Sequence, residues 1–376
     1  MVAGTQPNGC LAGESFVEGD GRCVPAGVQP SGCVAGELTT DDGCQPAGIP
    51  PEACAQGFVP DAEGGCDPVL PADRCPAGRM ATVGETTCRE VAPCGTERWD
   101  GIGVGATTQY VDGSHLGASD GSAALPWTTI QEAIDAAPAG AVVAIAAGSY
   151  AEDLALSGKA VRLWGRCPSQ VEIVGSAGAA AAVTIGSGAD GSQLRDLAVT
   201  GAAGGVFVTG SSSVLLESVW LHDLSSSALK ATDGSTPTDV TLRGSLVEAA
   251  HDQGVWILGA LATVEGSVVR GTTPASDGRC FGLTVDENLD TQQRASLTLE
   301  SSLFEDNTQV GVVVHAADAV ITATVIRHTQ PDPQGRFGRA LMVQTEAAAS
   351  GPGVATVSGC VFEHSRDTGI MVHGSS

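Results

Sequence analysis

Lys230, in the stretch SSALKATDG, is the single lysine in the regular part of the sequence, and carboxylates gather near it: Asp223 and Asp233 in the same repeat, Asp252 in the next. Carboxylates on neighbouring turns can hold Ca2+, and a Lys or Arg beside them can act as a base; that pairing is what elimination across an acidic sugar requires. Lys230, Asp223 and Asp252 are the catalytic candidates on that pattern, and Asp252 with Asp306 the candidates for a metal, although Lys230 falls at an alternating strand position and reads first as a solvated side chain. Calcium is implied only if the chain is such an enzyme, and no other cofactor is expected. A second pattern, the gathered aspartates of a glycoside hydrolase, would use Asp223, Asp252, Asp306 and Asp367. These fall at different positions of their repeats, which reads as turn-forming Asp.

His222, His251, His328 and His364 share the same turn region and read as exposed turn residues before they read as a metal cluster. Asn307 reads as a turn hydrogen-bonder. Trp127, Trp164, Trp220 and Trp256 could stack on sugars, but Trp220 and Trp256 occupy strand positions where neighbouring repeats carry Val, Phe, Ile or Met, which favours core packing. No nucleophile elbow, phosphate loop or HExxH is present.

The elements that must position these residues repeat. SLVE at 245, SVVR at 267, SLFE at 302, TVIR at 324 and CVFE at 360 recur at steps of 22, 35, 22 and 36 residues. A second strand follows each, opening on Gly254, Gly282, Gly311, Ala340 or Gly369, and then a third (ATVE, ASLTLE, AVITA, VATVS). Three strands in 22 residues make one turn of a right-handed parallel β-helix. The longer coils carry one loop each, TTPASDGRCFG and TQPDPQGRFGR, in a shared slot. Earlier coils extend the stack to eight or nine, an all-β rod. The fourth position of the first strand reads Glu248, Arg270, Glu305, Arg327 and Glu363, an alternating charge ladder worth ~0.2–1 kcal/mol per pair that would resist a one-coil slip. Ahead of the coils, Thr129 and Glu132 form a capping box, and Ile130, Ala133, Ile134 and Ala137 make one apolar helical stripe.

Nine of twelve cysteines precede residue 95. Cys10, Cys33, Cys54 and Cys75 open four units of 21–23 residues, each with a second cysteine 11–13 positions later. Units so short cannot bury a core, so staples are the physical expectation: Cys10–Cys23, Cys33–Cys44, Cys54–Cys66 and Cys75–Cys88. Pairing between neighbouring units would leave the same spacing. Cys94 is left over, with Cys167 as its best partner. Zinc fits less well, since there is no CxxC and no His before His115. The expected layout is Cys-rich repeats over 1–95, a linker and helix cap over 96–140, and coils over 141–376.

With 43 acidic against 18 basic residues the formal charge is −25, which all but excludes nucleic acid as a partner. No apolar run is long enough to span a bilayer. Disulfides imply an oxidising compartment, hence export to the periplasm, cell surface or medium, although the first residues carry no signal sequence. The sequence stops after the second strand of a coil, so the expectation is a continuing chain or a partner over that open coil.

The run YVDGS…SDGSAALPWTTIQEAIDAAPAG…VAIAAGSYAEDLAL resembles the N-terminal cap of secreted pectin-lyase-like β-helix proteins, and the coils beyond resemble the repeat of that superfamily. Together they cover about 108–376. Cys-rich repeats ahead of a β-helix are similar to the layout of exported or lipid-anchored proteins of predatory soil bacteria. The resemblance implies fold and export. It leaves activity open, since the superfamily holds lyases, hydrolases, epimerases, tailspikes and non-catalytic surface proteins. The expected role is non-catalytic display, adhesion or glycan contact, with polysaccharide or a cell-surface glycan as partner; the alternative is a carbohydrate-active enzyme on acidic polysaccharide.

Overall fold

The structure, a computed structural model, describes residues 54–374 apart from 62–64, 100–101, 104, 275–277 and 346–347; before residue 54 it describes only the backbone of four short strands. Two compact units are distinguished, residues 1–54 with 59–67, and residues 55–58 with 68–376.

In the first unit, Glu14–Val17 pairs antiparallel with Arg22–Pro25, and Glu37–Thr40 with Gly43–Pro46. Cys54 is bonded to Cys66. The expected pairs Cys10–Cys23 and Cys33–Cys44 lie outside the described residues.

The second unit is a parallel β-helix of nine coils, right-handed as parallel crossovers are. Each coil contributes a strand to three sheets. The first sheet runs from Val142–Ile145 to Val354–Ser358, with Gln109–Val111 added at its start; the second runs from Gly148–Tyr150 to Val361–Glu363, and the third from Leu154–Leu156 to Ile370–His373. Coil five, for example, is Asp239–Arg243, Leu246–Ala250 and Gln253–Leu258. Like stacks on like because inward positions alternate with outward ones. Val183, Val206, Leu229, Val255, Leu283, Val312 and Leu341 form one inward column of the third sheet.

The helix Ile130–Ala136 closes the first coil with Ile130, Ala133 and Ile134 in the core. The Thr129 hydroxyl accepts from the Glu132 amide, and Glu152 of the first coil accepts from the amides of Ile130 and Gln131 at 2.8 and 3.0 Å. A carboxylate thus meets the positive end of the helix.

Corners repeat too. Between the first and second sheets Asp196, Ser218, Gly244, Gly266, Ser301, Ala323 and Gly359 all take positive φ. The next residues include Ser245, Ser267, Ser302 and Thr324, whose hydroxyls each accept from the backbone one coil earlier and donate to the carbonyl two residues back. Cys360 ends this column with its thiol on the Ser358 carbonyl.

The five ladder residues occupy consecutive rungs of the second sheet in the order expected. Their face is covered by the N-terminal part of the same unit. Residues 55–58 and 68–99 run along this sheet from last coil to first. Ala55 lies against Gly359, Arg74 pairs with Asp306 at 3.0 Å, and the Gly78 amide donates to Glu248 at 3.1 Å. Cys94 then bonds to Cys167 of coil two. The fourth repeat, stapled by Cys75–Cys88, therefore belongs to the same unit as the coils and lies over the ladder. Beneath it Arg270 is 1% exposed.

Candidate functional site

Outward positions of the third sheet stack Phe207, Lys230, Trp256, Thr284, Val313, Met342 and Met371. Lys230 sits between the two aromatic residues, and its Nζ lies 3.9 Å from the centroid of the Trp256 ring. The indole cannot swing, because its Nε1 donates to Asp286 Oδ2 at 3.0 Å and His315 Nδ1 lies 3.3 Å from Asp286 Oδ1. A pocket of about 180 Å3 opens here, bounded by Phe207, Ser226, Ser227, Lys230, Asp252 and Trp256.

Burial of the ammonium against the rings lowers the pKa of Lys230; the Asp252 charge works the other way and the Arg279 charge adds to the lowering. Lys159, the other lysine, donates to the carbonyls of Asp135 and Ala137 at the C-terminal end of the helix and takes no part.

Of the catalytic candidates, Lys230 and Asp252 share the pocket. Asp223 does not line it: its exposed carboxylate bonds to His222 at 2.8 Å on the second-sheet side. Of the metal candidates, Asp306 is held by Arg74 and Asp252 faces Lys230, so the two are not brought together. Among the described residues no group of three or more His, Cys, Asp and Glu could hold a metal ion. Asp252, Asp306, His328 and His364 adopt positive φ at the corner between the second and third sheets, and Asp223 does so within the strand Trp220–Leu224, a conformation in which Asp and His are enriched. His328 and His364 face each other there, 5.0 Å between ring centroids. Asn307 is buried, its amide donating to the Val269 carbonyl at 2.9 Å.

Trp220 and Trp256 are not core residues. Each lies between two inward side chains, Val219 and Leu221 for one, Val255 and Ile257 for the other, so each must point out. Trp220 stacks on His222 at 3.7 Å beneath Gly78. The same alternation was the available signal for the outward placement of Trp256 and for Phe207, which the residue types alone did not single out, as they did not Asp286. Cys280 is fully buried, and its surroundings push the thiol up to about 11, so it is no nucleophile. The two long loops leave from coils six and eight and meet on Gln309 of coil seven, which donates to Gly278 O at 2.7 Å and Asp332 Oδ2 at 3.3 Å.

Residues 204–376 match the family described as the right handed beta helix region. No curated protein matches the chain. Among solved structures the chain is similar to an alginate lyase from Paenibacillus sp. str. FPU-7, at 13% identity over 65% of this chain and 95% of that one, TM-score 0.46. It is also similar to pectate lyase Pel9A (14% identity, 68% and 78% covered, TM-score 0.39) and to a pectin methylesterase from Aspergillus niger (14%, 73% and 87%, TM-score 0.36). No helix among the described residues is long and apolar enough to cross a membrane.

Proposed function

We propose that this is an exported β-helix rod that contacts glycans without processing them, through the Phe207–Lys230–Trp256 pocket. The carrying observation is the composition of that pocket: two aromatic residues, a partly buried lysine, an aspartate and two serines around a hollow of about 180 Å3. Concave, partly apolar sites with a few fixed polar groups are binding sites, and an indole locked by Asp286 loses little freedom when a ligand arrives. Three disulfides among the described residues support an oxidising destination.

One observation favours a second reading. The lowered pKa of Lys230 is what a general base needs, so an enzyme acting on acidic polysaccharide would use Lys230 as base and Asp252 as its neighbour.

The test combines a glycan array with depolymerisation assays on pectate and alginate, all with the full chain. Binding without turnover is expected, weakened at least about tenfold by Trp256→Ala, or 1.4 kcal/mol. Turnover abolished by Lys230→Ala or Asp252→Asn would establish the enzyme instead.

A further inference from the structure

The pocket at Trp256 has a counterpart on another flank. Trp164 of coil two also points outward, and its Nε1 donates to an aspartate one coil on, Asp196 Oδ2, at 2.7 Å. A cation again lies over the ring, here Arg195 at 4.7 Å. Beside the indole is a hollow of about 330 Å3 bounded by Pro93, Gly95, Trp164, Arg166 and Asp196.

Its walls are fixed before any ligand comes. The Cys94–Cys167 bond ties the two sides together, and Arg166 donates from Nε and Nη2 to the Gly95 carbonyl. Both polar groups keep capacity to spare. Asp196 is half-buried, and no described residue donates to its Oδ1; burial raises its pKa, against the lowering by the Trp164 hydrogen bond and the Arg195 charge. Arg166 Nη1 has no acceptor among the described residues. Arg195 does not fill the gap, since its guanidinium is paired with Glu217.

An acceptor and a donor of opposite charge beside an indole and a proline suit a ring that carries hydroxyls all round and no net charge. We propose that this hollow is a second saccharide-binding site, taking one uncharged sugar unit whose hydroxyls are shared between Asp196 and Arg166. The site stands whether or not the Lys230 pocket binds anything, and it would make the rod bivalent along its length.

The test uses the full chain with 15N-labelled indoles. Five tryptophans give five indole signals, and Trp164→Phe identifies the one to follow. Glucose, mannose, galactose, xylose and N-acetylglucosamine are titrated in turn. At least one should shift the Trp164 signal saturably with a Kd near ~1 mM. Asp196→Asn should weaken that binding at least about tenfold while far-UV circular dichroism and Tm hold, because Asn suits positive φ and can still accept from the indole. Asp196→Gly, equally suited to that φ, should do the same. The assignment fails if none of the five sugars saturates the Trp164 signal, or if both Asp196 variants bind as the parent does. Glucosamine saturating it where no uncharged sugar does would overturn the ligand class. A failure confined to the Trp256 signal would count against the Lys230 pocket alone.

Discussion

Two charge ladders climb this β-helix in different surroundings. On the second sheet Glu248, Arg270, Glu305, Arg327 and Glu363 alternate beneath the returning N-terminal segment. On the first sheet Arg195, Glu217, Arg243 and Glu265 alternate in the open, and the pattern breaks where Glu265 stacks on Glu300. In the covered ladder Arg270 lies 2.7 Å from Glu248 and 3.6 Å from Glu305, and spends its remaining donors on the carbonyls of Pro76 and Arg79. In the open one Arg243 lies 3.0 Å from Glu265 and 3.8 Å from Glu217, with about half its side chain in water. Water tolerates a like-charge step on the open face. The covered ladder can tolerate neither a missing partner nor a repeated sign at its centre, since Glu248, Arg270 and Glu305 are buried there. The same residue pattern is therefore ornamental on one sheet and structural on the other.

The sharpest way to break the comparison is Arg270→Ala. It leaves Glu248 and Glu305 buried without their cation, and a loss of about 3–5 kcal/mol is expected in urea unfolding. A loss below that of an exposed pair would mean that the covering segment is not seated on the ladder. Next comes Gly78→Ala. Gly78 has φ +73, and a β-carbon there would come 3.0 Å from the Trp220 ring. A cost of about 1–3 kcal/mol follows from the strained conformation, and hydrogen exchange of the 74–80 backbone should rise with it. Unchanged exchange would place the covering contact elsewhere. The smallest effect belongs to Arg243→Ala on the open ladder, about 0–1 kcal/mol and shrinking further in high salt. An Arg243 cost equal to that of Arg270 would erase the distinction.

What the sequence revealed follows from what repeats. Alternating steps of 22 and 35–36 residues place SLVE, SVVR, SLFE, TVIR and CVFE in one column, so coils, register and the first ladder could be read directly. The second ladder was legible by the same means, because TLR243 and TVE265 end their strands in opposite charges, but it needs the first-sheet strands stacked as carefully as the second. The covering segment was not legible. Gly78 meets Glu248 across 170 residues and Arg270 meets Pro76 across 194, and neither contact recurs, so no period announces them. The pocket was half legible. Lys230 and Asp252 stood out by type, whereas Phe207 and Trp256 required knowing which face each strand turns outward, and Asp223 shares a repeat with Lys230 without sharing its surface.

The path of residues 68–99 also bears on how the molecule comes into being. Coils can wind one upon the next using contacts a few dozen residues apart. The N-terminal segment finds its groove only after several coils exist, and by then it must close a very long loop. Maturation should therefore end in a single slow clasping step, and until it happens Arg270 and its neighbours stand wet on an unfinished surface.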